Sequence, residues 1–448
     1  MYRVGLRCQF SGATDEIPMN TELTGRSVPV PKQSERKSAF VDRYGAVFGR
    51  QQGLMLKMSG LSASEARGDG AWVEDTQGGR WLDFGSFGVH LLGHSHSGVV
   101  SALVEQIQRF GLSTKILSNE PIVLAAERLL VMAGPEKDKV IFGNTGSEVV
   151  EAALKLARIV TGRRRVIAFE QAYHGRTAAA LSVSHGYMRH AGLLTEGDVV
   201  FCPIDDLDAV ANALEAGDIA AIIIEPIQGE GGIRPVENEF LRGLGDLAQA
   251  FDCRLIFDEI QTGLGRIGSL RVDVPCDILL LGKVLGGGVF PISAALFTSK
   301  RFDAAARDPV VHASSFAGSA LAGAVVNAVL DVVSAPDFTL RVQRLGDRVL
   351  SYLRQRLADN PLITDIRGQG LMIGVEFKRL DHVGEMIIEA AKRHLLLAFC
   401  LTDPKVLRLY PPAVISDADL ETGLEHFCQS VEAITRTEFD KEIPLCQQ

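Results

Sequence analysis

The sequence predicts an α/β fold in which helices cover both faces of a mostly parallel β-sheet. Six short, nearly continuous apolar runs recur between residues 139 and 298, and segments with helical periodicity separate them. The apolar runs are KVIFGN, RVIAFE, AAIIIEP, RLIFDEI, DILLLGK and ISAALFT, and the helical segments include SEVVEAALKLARIV and EFLRGLGDLAQAF. Strands that are apolar throughout, with helices between them, are typical of parallel sheets buried on both sides.

The segments on either side of this region predict a different pattern of secondary structure. Residues 71–84, AWVEDTQGGRWLDF, alternate in polarity around a Gly-Gly pair and predict a β-hairpin. After about residue 335 the pattern is α+β, with a long helical segment, the strand-like GLMIGVEF and a further helix. Residues 1–36 are polar and mixed, and we expect an arm there that is extended or partly disordered, or that lies on a partner subunit.

The composition argues against several kinds of partner and site. The chain has 448 residues, a net charge of −9 and no basic block, which argues against a nucleic-acid partner. Its seven cysteines are scattered without a CxxC pair, which favours reduced thiols in the cytoplasm over disulfides or a zinc site. No signal-peptide core and no uncharged apolar run of about 18 residues is present, so no membrane span is expected.

Four of the apolar runs end in a chemically useful side chain: Asn144, Glu225, Asp258 and Lys283. Open α/β sheets bind ligands beyond the carboxyl ends of their strands, so these residues predict one shared site. Lys283 is unusual because an ammonium group is costly to bury. Either its head group reaches solvent from a strand end, or the amine is kept neutral and reactive as a Schiff-base lysine.

The segment FGNTGSEVVEAALKLAR, residues 142–158, predicts a strand, a tight turn and a helix. Thr145 is placed to cap the helix and Glu148 to complete a capping box. The amides of Gly146 and Ser147 would then face an anion at the helix N-terminus. An ordinary capped helix would give the same pattern. No Gly-Lys-Ser/Thr follows, so this is not a P-loop.

Asp258 and Lys283 end neighbouring predicted strands, and they could form a simple salt bridge. The alternative is that they hold opposite ends of one aromatic cofactor. Pyridoxal phosphate requires a lysine, an acid for the pyridinium nitrogen and a site for its phosphate. Tyr173 could stack on such a ring and Arg176 could bind a carboxylate, although a surface tyrosine and arginine would look the same.

Eight motifs resemble, in order, those of class III (ω-type) pyridoxal-phosphate aminotransferases over roughly residues 40–430. They are GNTGSEVVEAALKLAR, AYHGRT, IIIEPIQGEGGI, LIFDEIQTGLGRIG, LLLGKVLGGGVFPISA, HASSFAGSALA, IRGQGLMIGVEF and LRLYPPAVIS. The nearest branch contains the ornithine, acetylornithine, 4-aminobutyrate and putrescine aminotransferases. The resemblance implies fold type I, with a mostly parallel seven-stranded sheet and a smaller α+β domain formed by both chain ends. It divides the chain into an arm (1–36), a first part of the small domain (37–94), a large cofactor-binding domain (95–335) and the rest of the small domain (336–448).

The resemblance also implies roles for individual residues on the cofactor side. Lys283 would form the Schiff base and shuttle protons, Asp258 would pair with the pyridinium nitrogen, and Tyr173 would stack on the ring. The other cofactor contacts it implies are Gln261 at the ring hydroxyl and Thr145, Gly146 and Ser147 at the phosphate. Ser315 would reach the phosphate of a neighbouring subunit, which implies a homodimer with shared active sites.

On the substrate side, Arg408 would bind the carboxylate of an oxo acid, and Glu230 would pair with Arg408 when no carboxylate is present. Arg176 would bind a second carboxylate. Phe87 stands where the ornithine enzymes carry a tyrosine, and Arg176 stands where the putrescine enzymes carry a lysine. These two positions leave the amino donor open between the subgroups.

The expected activity is therefore transfer of the terminal amino group of a diamine or ω-amino acid to an oxo acid such as 2-oxoglutarate, in ping-pong order through Lys283. Aminomutases, decarboxylases and racemases of the same fold type share these motifs and remain alternatives. A binding or scaffold protein is the non-enzymatic alternative, although every catalytic position is filled. The sequence suggests no metal.

Overall fold

A computed structural model describes residues 36–186, 198–306 and 312–442. The predicted N-terminal arm therefore lies almost entirely outside the described residues. The chain divides into two compact units, residues 1–54 and 55–448. In its described part the first unit contains helix α1 (Arg36–Phe48) and the start of α2 (Arg50–Met58). The four-part division expected from the sequence stays a prediction.

The second unit contains all the described strands. They are β1 (Glu65–Asp69), β2 (Trp72–Asp75), β3 (Arg80–Asp83), β4 (Lys139–Gly143), β5 (Arg165–Phe169), β6 (Val199–Cys202), β7 (Ile219–Ile224), β8 (Ile227–Gln228), β9 (Arg234–Pro235), β10 (Arg254–Asp258), β11 (Ile278–Leu281), β12 (Ser293–Phe297), β13 (Ile363–Gln369), β14 (Met372–Phe377), β15 (Leu395–Leu396), β16 (Ala398–Phe399) and β17 (Val406–Leu409).

The remaining described helices also belong to this unit. They are α3 (Ser97–Arg109), α4 (Glu120–Ala133), α5 (Gly146–Thr161), α6 (Ala178–Ser182), α7 (Leu207–Leu214), α8 (Asn238–Ala250), α9 (Ser299–Ala306), α10 (Ala320–Val333), α11 (Pro336–Arg356), α12 (Leu380–Lys392) and α13 (Asp417–Glu442), together with a 3₁₀ turn at Lys283–Gly286.

Seven strands form the central sheet in the order β4-β12-β11-β10-β7-β5-β6. All run in one direction except β12, which is antiparallel to both of its neighbours. The prediction of a mostly parallel sheet is confirmed, and the six apolar runs correspond to six of its strands. The apolar-run criterion missed β6 because its four residues, VVFC, form too short a run to stand out.

Alternate residues of each central strand pack into two separate apolar clusters, one on each face of the sheet. On β10, Ile256 packs in the same cluster as α5, whereas Leu255 and Phe257 face the opposite cluster, which includes α8 and α10. Burying one such side chain contributes about 1.5–3 kcal/mol. Both faces of the sheet are therefore packed against helices, which holds the ends of its strands in fixed positions.

Three smaller sheets lie outside the central one, with the orders β1-β2-β3-β15, β13-β14-β17-β16 and β8-β9. The predicted hairpin is confirmed, since β2 and β3 pair antiparallel. Leu395 of β15 pairs with Leu82 of β3, which brings a late part of the chain beside an early one. A smaller α+β region built from both chain ends is therefore confirmed.

No single described helix is long and apolar enough to cross a bilayer; α10 and α11 meet that test only as a pair bent by 68°.

Candidate active site

The carboxyl ends of the parallel strands meet above one edge of the central sheet. A cavity of about 330 Å³ opens there. Its lining includes Asn144, Thr145 and Gly146 beyond β4, and Lys283 beyond β11, together with residues 288–292. Asp258 and Glu225 end the neighbouring strands β10 and β7. The four strand-end residues predicted to share a site therefore do lie at one edge.

Lys283 starts the 3₁₀ turn directly after β11, and its backbone is left-handed, with φ of 41°. Burial lowers the pKa of the Lys283 amine, and the positive charge of Arg408 lowers it further. The nearby carboxylates act in the opposite direction. No ion pair joins Lys283 to Asp258 in the described part of the chain. The simple salt bridge considered above is therefore absent, and the lysine lines the cavity rather than reaching open solvent.

Asp258 is bound instead to a histidine that the sequence analysis did not single out. His174 Nδ1 lies 2.7 Å from Asp258 Oδ2, and Asp258 Oδ1 accepts from the Ile260 amide at 3.1 Å. Both side chains of the pair are buried, and His174 Nε2 has no hydrogen-bond partner among the described residues. His174 lies inside the AYHGRT motif, but only the three-dimensional contact reveals its partner.

Glu225 fixes the backbone of the loop that carries Tyr173. Its carboxylate accepts from the Tyr173 amide at 2.9 Å and from the Gly229 amide at 3.1 Å. Burial raises the pKa of Glu225 to about 7, and Asp258 nearby adds to the rise. The Tyr173 hydroxyl accepts from Arg176 Nε at 3.3 Å, so the two residues proposed for ring and carboxylate contacts are neighbours.

Helix α5 begins at Gly146 and is capped by Thr145, whose hydroxyl accepts from the Glu148 amide at 3.3 Å. The predicted capping box needs correction. Glu148 Oε2 accepts from the amide of Asn144 at 2.7 Å and from its side chain at 3.0 Å, one residue before the cap. No described acceptor receives the amide protons of Gly146 or Ser147. Two amides at a helix N-terminus therefore remain available for an anion.

Arg408 and Glu230 form a buried ion pair between strand β17 and the β8–β9 turn. Both are almost fully buried, and Glu230 Oε2 also accepts from the Leu401 amide at 3.0 Å. The Nε and Nη2 groups of Arg408 have no partner among the described residues. The guanidinium carbon lies 4.7 Å from the ring centre of Phe87, which is 53% exposed. One edge of a buried cation thus remains free for another acceptor.

Gln261 is buried, and its side-chain oxygen accepts from the Tyr410 hydroxyl at 2.5 Å. The sequence analysis quoted Tyr410 in LRLYPP but gave it no role. Ser315 is exposed, and it is its neighbour Ser314 that accepts from the Asn144 side chain at 3.3 Å. Of the predicted site residues, Thr145, Gly146 and Lys283 line the cavity, whereas Ser315 shows no contact with it, and the roles assigned to all of them stay predictions.

Comparison with known proteins identifies the family. The model of class-III aminotransferases matches residues 58–431. The succinylornithine transaminase of Yersinia enterocolitica is 36% identical over 83% of this chain and 92% of its own length. The ornithine aminotransferase of Bacillus anthracis is 36% identical over 80% of this chain and 92% of its own length. A crystal structure of the ornithine aminotransferase from Toxoplasma gondii, described with partial occupancy of PLP, superposes with a TM-score of 0.79 at 32% identity, covering 85% of this chain and 91% of that one.

The cavity fits the cofactor that this family uses. It offers an amine of lowered pKa at the half-buried Lys283 and a buried carboxylate at the next strand end. The helix N-terminus supplies unpartnered amides of the kind that bind phosphate. These are the three groups that pyridoxal phosphate requires. This chain therefore belongs to the class-III aminotransferase family, and its cofactor is pyridoxal 5′-phosphate.

Proposed function

We propose that this enzyme moves the terminal amino group of a diamine or ω-amino acid to an oxo acid, with 2-oxoglutarate as the acceptor. The observation that carries the proposal is the buried Arg408–Glu230 pair, whose guanidinium keeps two unpartnered N–H groups. Glu230 balances the charge of Arg408 while an amine donor without a carboxylate at that end is bound. The oxo acid then brings its own carboxylate to the same guanidinium.

The names of the relatives support a donor of this type. The three proteins compared above are all named for ornithine or a derivative of it. Ornithine carries an amino group at each end and a carboxylate at one. Arg176 is exposed at the cavity loop, beside Tyr173, where it would bind a carboxylate remote from the reacting amine.

The residues divide the chemical work as follows. When bound, pyridoxal phosphate supplies a ring that accepts the electron pair left on the donor carbon. Lys283 would hold the cofactor covalently and, once released, move a proton at that carbon, and its lowered pKa favours the neutral amine needed for this. Asp258, oriented by His174, would keep the ring nitrogen protonated. The α5 amides would anchor the phosphate.

Two arginine variants test the substrate assignment. Arg408→Ala removes a charge-assisted contact worth about 1.5–3 kcal/mol, so kcat/KM for 2-oxoglutarate should fall about 10- to 150-fold. The half-reaction with a plain diamine should be nearly unchanged. Arg176→Ala should slow donors that carry a carboxylate, and it should spare diamines.

The measurement is stopped-flow decay of the cofactor's visible band with ornithine, N-acetylornithine, 4-aminobutyrate and putrescine, followed by return of the band with 2-oxoglutarate. Arg348→Ala is the control, because it removes an arginine paired at 2.8 Å with the exposed Asp417. Equal losses for every donor and acceptor in both test variants would show that the two arginines do not bind substrate carboxylates. A band that decays with a donor but fails to return with any oxo acid would argue against transfer.

We also propose that the active enzyme is a homodimer. Ile116, Leu117 and Phe316 are large apolar side chains that are 91%, 74% and 61% exposed. The Asn119 side chain donates to the Gly318 carbonyl at 3.3 Å, so the two segments that carry them are neighbours. Exposed apolar groups gathered in this way mark interaction surfaces. Ser315 lies beside Phe316, where it would reach the phosphate of the second subunit.

The paired change Ile116→Asp/Leu117→Asp should convert the dimer to monomers in sedimentation experiments, because charges cannot be buried cheaply at an interface. Cofactor retention should fall with it if Ser315 acts across the subunits. Leu380→Asp, which adds a charge at a leucine 56% exposed on α12, is the control. A wild-type chain that sediments as a monomer with full activity would refute the dimer.

We also propose that the enzyme is located in the cytoplasm. Five cysteines are described, and all are free thiols: Cys202, Cys253, Cys276, Cys400 and Cys428. Free thiols are expected in a reducing compartment. Cys8 and Cys446 lie outside the described residues.

A further inference from the structure

Tyr410 directly follows β17 and is 4% exposed. A buried phenol requires a hydrogen-bond partner. The Tyr410 hydroxyl finds it in the side-chain oxygen of Gln261, at 2.5 Å, while the Tyr410 amide donates to the Phe84 carbonyl at 2.8 Å. Because the amide oxygen of Gln261 is used as an acceptor, its NH₂ group is the part left to donate elsewhere.

The Gln261 amide is also confined by the backbone. A Cβ atom on Gly229 would lie 2.0 Å from Gln261 Oε1 and 2.9 Å from its Nε2, so only glycine permits this approach. Gly229 itself is held at both backbone groups, with its amide 3.1 Å from Glu225 Oε2 and its carbonyl 3.3 Å from Cys400 Sγ. The amide therefore lies between a fixed backbone segment and the Tyr410 hydroxyl.

The ring of Tyr410 has a second set of neighbours. The guanidinium carbons of Arg266 and Arg408 lie 5.4 and 5.7 Å from its centre, and both arginines are fully buried. Arg266 donates to the carbonyls of Leu371 and Pro411, each at 3.1 Å. Cations over an aromatic ring are attracted to its face, most strongly when they are desolvated. The hydroxyl and the ring of Tyr410 thus contact different parts of the site.

We propose that Tyr410 is a positioning residue with two separable actions: its hydroxyl aims the Gln261 NH₂ group at the ring oxygen of the cofactor, and its ring supports Arg408 where the oxo-acid carboxylate binds. The inference rests on the proposed roles of Gln261 and Arg408. It extends them to a residue that touches neither the reacting atoms nor the substrate.

Tyr410→Phe keeps the ring and removes only the hydroxyl. An N–H donor favours the anionic form of the ring oxygen, so weaker donation should raise the pH midpoint of the change in the visible band, by about 0.5–1 pH unit. Titration of the apoprotein should show a dissociation constant for pyridoxal phosphate about 3- to 10-fold higher. The KM for 2-oxoglutarate should stay within about twofold. Tyr410→Leu should add a rise in that KM of about fivefold or more, because the ring is lost as well.

Tyr352→Phe is the matched control, since it removes a hydroxyl that donates to Glu425 at 3.0 Å on the α11–α13 contact. A double-mutant cycle isolates the coupling. On a Gln261→Ala background, Tyr410→Phe should cause no further shift of the midpoint.

An unchanged midpoint and cofactor affinity in Tyr410→Phe, or the same shift on the Gln261→Ala background, would overturn the action through Gln261. A normal KM in Tyr410→Leu would overturn the support of Arg408. If the wild-type enzyme instead transfers no amino group from any donor to 2-oxoglutarate, the substrate proposal fails, and the spectral midpoint and cofactor affinity still decide the role of the hydroxyl.

Discussion

Lys283 is held in a left-handed backbone conformation that residues with a side chain adopt at a cost of about 1–2 kcal/mol. The strand before it and the 3₁₀ turn after it are both buried, and they fix this conformation. Strained residues of this kind collect at functional sites because the surrounding structure determines them. Lys283, in this conformation, lines the cavity.

Comparing Lys283→Gly with Lys283→Ala tests the strain. Both variants should lose at least about 100-fold in activity, because proton transfer by a positioned base contributes about 10²–10⁴-fold. In chemical denaturation of the apoprotein, the glycine variant should be more stable by about 1 kcal/mol, since glycine adopts positive φ without a Cβ clash. At Lys139, which lies in β4, the order should reverse, because glycine weakens an ordinary strand. The same order at both positions would contradict the strain argument.

Single residues of the site were predictable from sequence to different degrees. Lys283 and Asp258 were predictable because each is a charged residue at the end of an apolar run. That feature can be recognised within a short segment of sequence. His174 and Tyr410 were not predictable, because their roles depend on contacts with residues 84 and 149 positions away. The positive φ of Lys283 has no signature in the sequence, since non-glycine residues rarely adopt it.

The loop that follows β5 and the start of α5 form one unit at the cavity. The Arg176 amide donates to the Ser147 hydroxyl at 3.1 Å. Gly175, between His174 and Arg176, has φ of 134°, and a Cβ there would lie 2.2 Å from the Ser147 hydroxyl oxygen. The loop therefore packs directly on the residue whose amide is proposed to bind phosphate, and it does so only because residue 175 lacks a side chain.

Gly175→Ala should force this loop off α5. The strain and the lost contact should lower the free energy of unfolding by about 1–3 kcal/mol, and cofactor affinity should fall about tenfold or more. Denaturation of the apoprotein and cofactor titration measure the two effects. Gly162→Ala is the control: Gly162 also has positive φ, 65°, at the other end of α5, but a Cβ there meets open space. It should cost stability and leave cofactor affinity unchanged. Equal loss of affinity in both variants would mean that the loop contact is unimportant.

The architecture of the whole chain was predictable where periodicity was strong. The apolar runs located six of the seven central strands, and the helical segment SEVVEAALKLARIV located α5 to within one residue at each end, because burial on both faces leaves a clear signature. Pairings such as β15 with β3 were not readable from sequence periodicity, because a two-residue strand is too short to carry it and its partner is more than 300 positions away. Pairing of this kind is determined by tertiary packing.

Buried acids give the molecule a pH dependence whose sign follows from their pKa values. Burial raises the pKa of Glu259 from 4.5 to about 7, although its carboxylate accepts from the Val272 amide at 2.9 Å and the Thr262 hydroxyl at 3.2 Å. Between these two pH values the folded chain binds a proton that the unfolded chain has released. Stability must therefore fall as pH rises through this window, by up to about 1.4 kcal/mol per pH unit for one group.

Glu259→Gln removes this titration while it keeps the shape and an acceptor for the Val272 amide. The variant should be similar to the wild type near pH 4.5, and it should become progressively more stable than the wild type as pH rises to about 7.5, by about 1–3 kcal/mol in total. Denaturation midpoints of the two apoproteins across this range measure the difference. Glu432→Gln is the control, because Glu432 pairs with Arg356 at 2.6 Å on partly exposed helices. A difference between wild type and Glu259→Gln that does not change with pH would show that Glu259 stays ionised in the folded chain across this range.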